Sequence, residues 1–255
     1  MFRIKTMNTI SPAGIEALNV HGCAVSADEK RPEAMLLRSA ELHGYEFNPE
    51  LLAIGRAGAG YNNIPILDCT EHGIVVFNSP GANAEAVKEL ELCSLVMASR
   101  DVLGSIGWVR GISGEGAAIP KLVEKGKSAF AGPELLGKTL GVIGLGAVGA
   151  LVANIALELG MTVYGYDPFM SVDAAWRLSR EVLRADSVDD IFRNSDYISI
   201  NVPYTEQTHH MLNAEAFAKM KRGVRIVNES RAEVVDDEAM TAALESGAVA
   251  KYVTD

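Results

Sequence analysis

Apolar residues in the first third of the chain come in short runs that alternate with amphipathic stretches. Three runs bounded by glycine, proline or polar residues predict buried strands that continue into loops: residues 34–39, 51–60 and 73–81. Ahead of them, Ser11 suits a helix N-cap and Pro12 suits the first helical position. Strands that alternate with helices predict a parallel sheet with helices on its faces.

The middle of the chain carries the longest helical pattern. Residues 83–102 begin at the capping residue Asn83, contain no glycine or proline, and space their apolar residues as a helix does. Residues 104–133 that follow are rich in glycine and include two prolines. We therefore place a domain junction near this helix and predict two domains, residues 1–85 and residues 86–255.

The last part of the chain is strongly α/β. Five strands are predicted, at residues 140–144, 161–166, 197–202, 224–228 and 249–254. Three helices are predicted between them, at residues 147–159, 214–220 and 236–246. The first of these helices is expected to bury one apolar face made of Leu151, Val152, Ile155 and Leu159. In a parallel sheet the connections would all be right-handed.

Composition and charge narrow the class of protein. The 255 residues are 48% hydrophobic and 22% charged, which is typical of a globular protein. The formal net charge of -10 disfavours nucleic acid or an anionic membrane as partner, whereas local arginines can still bind a small anion. Cys23, Cys69 and Cys93 cannot all pair with one another, which suits a reducing compartment. With no signal-peptide pattern and no membrane-length apolar run, we expect a cytoplasmic protein.

A glycine-rich loop follows the strand predicted at residues 140–144, with the spacing G-x-G-x-x-G at Gly144, Gly146 and Gly149. This loop links a strand to a helix, which is the context in which the pattern binds a dinucleotide. The first glycine permits a tight turn, the second lets the backbone approach a pyrophosphate, and the third lets helix and strand pack closely. The helix N-terminus then favours phosphate. The alternative is a loop that only tightens a strand–helix corner.

Asp167 ends the next predicted strand, 18 residues after Gly149. A carboxylate at this position can accept hydrogen bonds from an adenosine ribose, and it repels a 2′-phosphate. No arginine or lysine occurs between Pro168 and Asp173, so the sequence favours NAD over NADP. The alternative is that Asp167 is simply a solvated strand end.

Arg231 lies just beyond the strand predicted at residues 224–228, at the edge where open α/β sheets bind ligands. An arginine at this edge can hold a substrate carboxylate and polarise a carbonyl. It can equally pair with a surface carboxylate, and its position alone leaves both open. Val202 and Pro203 end another strand at the same edge, where their backbone would flank a nicotinamide ring.

Arg38 and Arg56 follow two predicted strands of the first domain, and Arg56 opens a loop of small residues whose N–H groups can wrap an anion. The two arginines suit a substrate with a carboxylate and a phosphate; the alternative is a pair of ordinary surface arginines. None of the five histidines has metal-ligand spacing, so no metal is expected. Neither G-x-S-x-G nor the Tyr-x-x-x-Lys pair of short-chain reductases occurs.

Taken in order, several segments resemble the D-isomer-specific 2-hydroxyacid dehydrogenases. They are residues 55–66, 73–101, 137–149, 165–168, 201–221 and 224–240, so the resemblance covers nearly the whole chain. Within the family it is closest to the D-3-phosphoglycerate dehydrogenases. It implies an α/β fold with a flavodoxin-like substrate domain (residues 1–85) and a Rossmann-type NAD-binding domain (residues 86–255). It also implies a homodimer formed through the Rossmann domain.

The resemblance implies NAD-dependent oxidation of 3-phospho-D-glycerate to 3-phosphohydroxypyruvate, the first step of serine biosynthesis. The family's catalytic arginine falls on Arg231. With the glycine loop and Pro203, its cofactor contacts give the set Ala59, Gly144, Gly146, Ala147, Val148, Gly149, Asp167, Val202, Pro203, Glu229, Ser230, Arg231 and Asp255. Its substrate contacts fall on Arg38, Ser39, Arg56, Gly58 and Gly60.

The sequence departs from the family in three places. Many relatives carry Arg-Ile where this chain has Ala147-Val148, and they often have Ala-Arg-Gly around the catalytic arginine, where this chain has Ser230-Arg231-Ala232. The family's catalytic glutamate and acid–base histidine follow the residue that matches Asp255, and so does a helix that completes the substrate domain. We therefore expect a C-terminally truncated chain that is inactive alone, because acid–base groups contribute roughly 10²- to 10⁴-fold to rate.

Two other functions stay open on the sequence. The substrate could be another D-2-hydroxy acid, such as glycerate, hydroxypyruvate or lactate, because reductases for these share the same motifs. The chain could also be an NAD-binding module without catalysis, since folds of this kind are reused for binding.

Overall fold

Two parallel sheets organise the protein. The computed structural model describes residues 1–255, which divide into the units Met1–Asn83 and Ala84–Asp255. We call these the first and the second unit. The sequence analysis placed the boundary two residues later, between residues 85 and 86.

The first unit contains five strands and two helices. The strands are β1 (Phe2–Thr6), β2 (Cys23–Ser26), β3 (Ala34–Leu37), β4 (Ala53–Arg56) and β5 (Val75–Asn78), and the helices are α1 (Pro12–Val20) and α2 (Ile66–Glu71). All strands are parallel, in the order β2-β1-β3-β4-β5. This is the strand order of flavodoxin-like folds, in which ligands bind where the order reverses, between β1 and β3. Met35, Leu37 and Ile54 are fully buried in its core.

The N-terminal half of this sheet was harder to predict than the rest. Neither β1 nor β2 contains a run of buried residues. Ile4 is the single buried residue of β1, and β2 has none. Helix α1 begins at Pro12 as predicted. Ser11 stands at the N-cap position, but its side chain makes no capping hydrogen bond.

The predicted long helix at residues 83–102 is divided. Helix α3 covers Ala84–Ser99, and α4 (Val102–Gly111) begins after Asp101, whose side chain accepts a hydrogen bond from the N–H of Gly104. The glycine-rich stretch that follows adds α5 (Ile119–Gly126) and two short 3₁₀ helices, which glycine content alone did not predict. No single helix is long and apolar enough to cross a membrane; α3 and α4 reach that length only together, across a 65° bend.

The second unit contains six strands and eight α-helices. The strands are β6 (Thr139–Ile143), β7 (Thr162–Tyr166), β8 (Leu183–Arg184), β9 (Tyr197–Ile200), β10 (Val224–Asn228) and β11 (Val249–Thr254). Beyond α3 to α5, the helices are α6 (Ala147–Glu158), α7 (Val172–Arg177), α8 (Val188–Asn194), α9 (Ala214–Lys219) and α10 (Asp237–Glu245).

The strands of the second unit are parallel, in the order β11-β10-β9-β6-β7-β8. The first three strands in sequence run outward from β6 on one side, and the last three run outward from β9 on the other. This is the Rossmann arrangement, and its ligand crevice lies outside the carboxyl ends of β6 and β9. The predicted α/β class is confirmed.

Helix α6 packs on the sheet through smaller residues than predicted. Its buried residues are Gly149, Ala150, Val152, Ala153 and Ala156. Leu151, Ile155 and Leu159 were expected on this face, but they are only half-buried. Small side chains let the helix approach β6 closely, which brings its N-terminus to the crevice.

Candidate functional site

The glycine loop joins β6 to α6 at the centre of the second unit's sheet. Gly144 adopts φ of +88°, a left-handed conformation that residues with a Cβ rarely adopt, and a Cβ there would also overlap the carbonyl oxygen of Asn201. A Cβ on Gly149 would overlap the carbonyl oxygen of Gly144. The first glycine therefore makes the turn, and the third allows the close approach of helix to loop.

Gly146 differs from its two neighbours in the motif. Nothing lies within 4 Å of the place where its Cβ would stand, so the protein itself does not require a glycine there. Gly146 is also the N-cap of α6, and no side chain caps this helix. No capping side chain therefore accepts a hydrogen bond from the backbone N–H groups of the first helical turn, at Ala147 and Val148. This arrangement fits the pyrophosphate of a dinucleotide.

Asp167 follows the end of β7 and holds the glycine loop directly. Its Oδ2 accepts a 2.8 Å hydrogen bond from the backbone N–H of Leu145, and its Oδ1 accepts one of 2.8 Å from the N–H of Phe169. A carboxylate has about four acceptor positions, so capacity remains for a ribose hydroxyl. The sequence did not predict this role of Asp167, which is to hold the glycine loop through the N–H of Leu145.

The end of β9 forms the other wall of the crevice. The N–H of Asn201 donates to the carbonyl of Ile143 at 2.7 Å, which binds this strand end to β6. Val202 is half-buried, and its Cγ1 borders Gly144. Pro203 is exposed, and its carbonyl accepts a 2.7 Å hydrogen bond from the hydroxyl of Thr208. Val202 therefore lies beside the glycine loop, whereas Pro203 begins the loop that leaves the crevice.

Asn228 organises the segment that carries the predicted catalytic arginine. Its buried side chain accepts hydrogen bonds from the N–H of Ser230 (3.1 Å) and from its hydroxyl (2.7 Å), and donates to the carbonyl of Arg231 (2.9 Å). The hydroxyl of Thr254 donates to the Asn228 carbonyl at 2.9 Å, so β11 ends beside it. The exposed Asp255 follows directly. Sequence reasoning missed Asn228, although a polar residue closing an apolar strand was a usable signal.

Arg231 is half-buried just beyond this strand end. Its Nη1 donates to the carbonyl of Ser230 at 2.7 Å, and no carboxylate pairs with it. The surface ion pair that the sequence left open, with Glu233 or Asp236 as the partner, is therefore absent, and Asp236 lies 3.8 Å from His210 instead. The guanidinium retains donors for a carboxylate ligand.

Two carboxyl groups lie where this segment meets α3, the buried Glu91 and the half-buried Glu229, and the sequence analysis gave neither of them a structural role. Glu91 on α3 is fully buried and accepts a 2.7 Å hydrogen bond from the hydroxyl of Ser199 on β9. Glu229 accepts one of 2.6 Å from the hydroxyl of Ser94. Burial, with the nearby charge of Glu229, raises the pKa of Glu91 to about 8. A glutamate at an apolar helical position was the available signal for Glu91.

In the first unit, the loop after β3 is closed by a side chain from the loop after β1. Asn8 Oδ1 accepts hydrogen bonds from three consecutive backbone N–H groups, those of Arg38 (3.0 Å), Ser39 (3.1 Å) and Ala40 (2.9 Å). These N–H groups would otherwise form an anion-binding concavity. Asn8 fills it, so these three N–H groups are not available to an anion.

The loop after β4 lies at the same edge, because Leu37 of β3 and Arg56 of β4 are registered opposite one another. Gly58 adopts φ of +137°, and a Cβ there would overlap the guanidinium of Arg56. The N–H of Gly58 donates to the hydroxyl of Ser79 at 2.8 Å. The carbonyl of Ala59 accepts from Asn78 at 2.8 Å.

The predicted site residues thus form two groups. The glycine loop, Asp167, Val202 and the segment 229–231 lie at the carboxyl edge of the second unit's sheet, with Asp255 after its last strand. The rest lie at the carboxyl edge of the first unit's sheet: Arg38, Ser39, Arg56, Gly58, Ala59 and Gly60.

Comparison with known proteins agrees with this geometry. The family model for the D-isomer specific 2-hydroxyacid dehydrogenase, NAD binding domain, matches residues 106–255. The chain therefore belongs to the D-isomer specific 2-hydroxyacid dehydrogenases, and it carries their NAD-binding domain. The N-terminus of α6 has no side-chain cap, and the space beside Gly146 is free. Both features suit the binding of a dinucleotide pyrophosphate by such a domain.

Individual relatives cover most of the chain. D-3-phosphoglycerate dehydrogenase of Bacillus subtilis is 32% identical over 270 residues, which is 100% of this chain and 48% of the relative. Hydroxypyruvate reductase of Thermotoga maritima is 39% identical over 204 residues, which is 80% of this chain and 61% of the relative. Among solved structures, NAD⁺-bound 3-phosphoglycerate dehydrogenase of Entamoeba histolytica has a TM-score of 0.76 and 25% identity, covering 100% of this chain and 80% of that one. The chain thus spans about half of the Bacillus relative.

Proposed function

We propose that this protein acts in the NAD-dependent interconversion of a D-2-hydroxy acid and its 2-oxo acid, with 3-phospho-D-glycerate as the substrate. The observation that carries the proposal is the segment held by Asn228. It presents Arg231, unpaired with any carboxylate, at the same sheet edge as an uncapped glycine loop. An anion-binding arginine and a dinucleotide site at one edge are what oxidation of a hydroxy acid requires.

Each residue of the cofactor site has a distinct task. NAD supplies the hydride acceptor when it is bound. The N–H groups at the start of α6 hold the pyrophosphate, and Asp167 holds the adenosine ribose and disfavours a 2′-phosphate. Val202 and Pro203 provide the wall at the end of β9. We assign the remaining contacts in the second unit to Glu229, Ser230 and Asp255, and one in the first unit to Ala59.

Arg231 is the proposed catalytic residue. Its guanidinium holds the substrate carboxylate in a charge-assisted pair and polarises the oxygen on C2. The hydrogen bond from Arg231 Nη1 to the Ser230 carbonyl leaves further donors in the guanidinium fork. Asn228 acts through the backbone of this segment and is a positioning residue.

The phosphate of the substrate is assigned to the first unit, as its substrate-binding domain. Arg38 and Arg56 follow the ends of two paired strands, β3 and β4, at one sheet edge. Ser39, Gly58 and Gly60 complete this group. Relatives named D-3-phosphoglycerate dehydrogenase support the assignment. Through it the protein would act in serine biosynthesis.

A second substrate class has its own support. The Thermotoga relative, which has the name hydroxypyruvate reductase, is 39% identical to this chain. D-Glycerate and hydroxypyruvate carry the same carboxylate for Arg231 but lack the phosphate. We further propose a homodimer formed through the Rossmann unit. A cytoplasmic location is proposed as well, since Cys23, Cys69 and Cys93 are all unpaired.

Calorimetric titration of three acids into the NAD⁺-saturated protein tests the proposal. We expect 3-phosphoglycerate to bind more tightly than D-glycerate or D-lactate. Arg231→Gln should weaken all three, whereas Arg38→Gln and Arg56→Gln should weaken 3-phosphoglycerate alone, each by about 10- to 100-fold for one lost charge-assisted contact.

Arg180→Gln provides the control, because Arg180 is an exposed arginine of the second unit, away from both sheet edges described above. It should bind all three acids as the wild type does. Equal affinity of the wild type for the three acids would favour an unphosphorylated substrate. Tight NADH binding with no affinity for any of them would favour the non-catalytic binding module.

A further inference from the structure

Glu91 is a carboxyl group without a cation. It lies in the middle of α3 with an exposed fraction of 0%, and no lysine, arginine or histidine pairs with it. Buried carboxylates are rare without such a partner, because removal of the charge from water is costly. Its Oε2 accepts the hydrogen bond from Ser199, whose hydroxyl also receives one from Asn201 at 2.6 Å. No hydrogen bond of ordinary geometry reaches its buried Oε1, although the side-chain amide of Asn201 lies near enough to Glu91 to oppose the rise of its pKa.

Glu229 shows the same half-satisfied pattern. Its Oε1 accepts the hydrogen bond from Ser94, which stands one turn beyond Glu91 on the same helix. Its Oε2 is buried and has no donor. The charge of Glu229 is near enough to raise the pKa of Glu91. Two neighbouring carboxyl groups therefore each have one buried oxygen that receives no donor from the protein, and no cation pairs with either group.

The surroundings offer no other group to neutralise the pair. Titratable groups on the elements packed against α3 are engaged elsewhere or exposed: Glu158 on α6, Tyr197 on β9, Arg225 on β10, and Lys251 and Tyr252 on β11. The hydroxyl of Tyr197 bonds to Ser99, and Arg225 donates to the carbonyl of Ala98. A single proton, by contrast, would satisfy both orphaned oxygens at once.

We propose that Glu91 and Glu229 form a carboxylic acid–carboxylate pair, which shares one proton between Glu91 Oε1 and Glu229 Oε2 and positions the segment 229–231 against α3. Glu91 is the acid and donates, while Glu229 is the carboxylate and accepts. The proton comes from solvent and returns to it when the pair ionises. Glu91 is a positioning residue in this arrangement, and Glu229, which is assigned a cofactor contact above, has a second task in holding the segment against α3.

Loss of this proton has a mechanical consequence. Glu91 and Glu229 then carry like charges without a shared proton, and the repulsion acts on Glu229, which precedes Arg231 by two residues. The hydroxyl of Ser94 alone would tie the segment to α3. The shared proton thus links α3 to the segment that carries Arg231. The effect of this coupling on substrate binding rests on the proposed function, whereas the shared proton itself does not.

Infrared difference spectroscopy tests for the proton. The spectrum of the wild type minus that of Glu91→Gln at pH 7 should show the C=O stretch of a protonated carboxylic acid, and the band should disappear as the pH rises above about 8. Glu89→Gln is the control, because Glu89 is exposed on the same helix, and this variant should keep the band. Absence of the band in the wild type would overturn the proposal.

A second variant keeps the test independent of how Glu91→Gln folds. Glu229→Gln removes the neighbouring charge that raises the pKa of Glu91 but leaves Glu91 buried, so the band should remain at pH 7 and disappear at a lower pH than in the wild type. An unchanged titration midpoint would mean that the two groups do not interact, which contradicts a shared proton.

Amide hydrogen exchange tests the positioning. At pH 9, backbone amides of residues 229–231 should exchange about tenfold faster in the wild type than in Glu91→Gln, because an unpaired buried charge costs free energy of that order. Comparison at one pH cancels the intrinsic pH dependence of exchange. Equal rates would overturn the positioning role. Affinity for a 2-hydroxy acid at pH 9 should likewise be lower in the wild type than in Glu91→Gln. If no acid binds while the infrared band and the exchange rates behave as expected, the proposed function is wrong but the proposed pair of Glu91 and Glu229 is supported.

Discussion

The carboxylate of Asp167 accepts a hydrogen bond of 2.8 Å from the backbone N–H of Leu145, between the first two glycines of the loop. The residue expected to hold the ribose therefore also holds the loop that would hold the pyrophosphate. Cofactor affinity and loop order are linked through one side chain, so different substitutions at this position should separate the two.

Substitution of Asp167 by asparagine should relax the choice between the two dinucleotides. Asparagine retains an oxygen for Leu145, but it removes the negative charge that repels a 2′-phosphate. We expect NADH to bind more weakly by about tenfold, the order expected for one charge-assisted hydrogen bond, and NADPH to bind relatively better. Fluorescence titration with both cofactors measures this ratio. The exposed Asp28→Asn is the control, and an unchanged ratio in Asp167→Asn would contradict the assignment.

Alanine substitutions at Gly149 and Gly146 should have opposite consequences. A Cβ on Gly149 would overlap a backbone carbonyl, so Gly149→Ala should destabilise the fold by about 1–3 kcal/mol or more. Gly146→Ala meets open space, so its melting temperature should remain near that of the wild type while NADH affinity falls. Thermal unfolding and NADH titration of both variants check this. Full NADH affinity in Gly146→Ala would show that the open space is not the pyrophosphate site.

Removal of the Asn228 side chain should disorder the segment that carries Arg231. Asn228→Ala leaves the Ser230 hydroxyl and the Arg231 carbonyl without their partner, at a cost of about 1–3 kcal/mol for each unsatisfied buried group. Denaturant unfolding should show the loss of stability, and calorimetry should show weaker binding of a 2-hydroxy acid. Asn194→Ala is the matched control, since the exposed Asn194 side chain donates only to the Asp190 carbonyl. Equal losses in both variants would rule out a special role for Asn228.

The stability of the protein should fall as the pH rises from 4.5 towards 8. The folded-state pKa of Glu91 is raised from 4.5 to about 8, chiefly by burial, so the folded protein binds more protons than the unfolded chain within this window. Stability is therefore greatest below the unfolded pKa, and it declines by up to about 1.4 kcal/mol per pH unit until the folded pKa is passed. Urea unfolding in a pH series measures this slope. Glu91→Gln should flatten it relative to wild type, and an identical slope would contradict the raised pKa.

Asn8 should be necessary for the shape of the loop after β3. Asn8→Ala removes the acceptor of three backbone N–H groups and should destabilise the protein by about 1–3 kcal/mol. It also opens an anion-binding concavity, so inorganic phosphate should restore part of the lost melting temperature. The exposed Asn62→Ala serves as control. A phosphate effect of equal size in the wild type would mean that Asn8 does not fill this concavity.

The sequence predicted the second unit better than the first. Strands β10 and β11 have the predicted bounds, and β6, β7 and β9 lie within one or two residues of theirs. Strands β6, β9 and β10 are almost wholly buried, so each reads as a continuous apolar run between turn residues. Strands β1 and β2 lack such a run and were missed. Helices α4 and α5 were missed because glycine is a weak guide where tertiary contacts or caps, such as Asp101, stabilise a helix.

The sequence by itself determined the α/β class, the glycine loop with its aspartate, and the family, because these depend on local spacing and on strand–helix alternation. Only the tertiary structure decided which polar groups meet. Asn8 reaches the Arg38 loop across 30 residues of chain, and Ser199 reaches Glu91 across 108. Such contacts arise where sheet order brings distant strand ends and helices together, and no local pattern encodes them. The proximity of Glu91 to Glu229 is therefore a property of the fold, visible only when α3 is packed against β9 and β10.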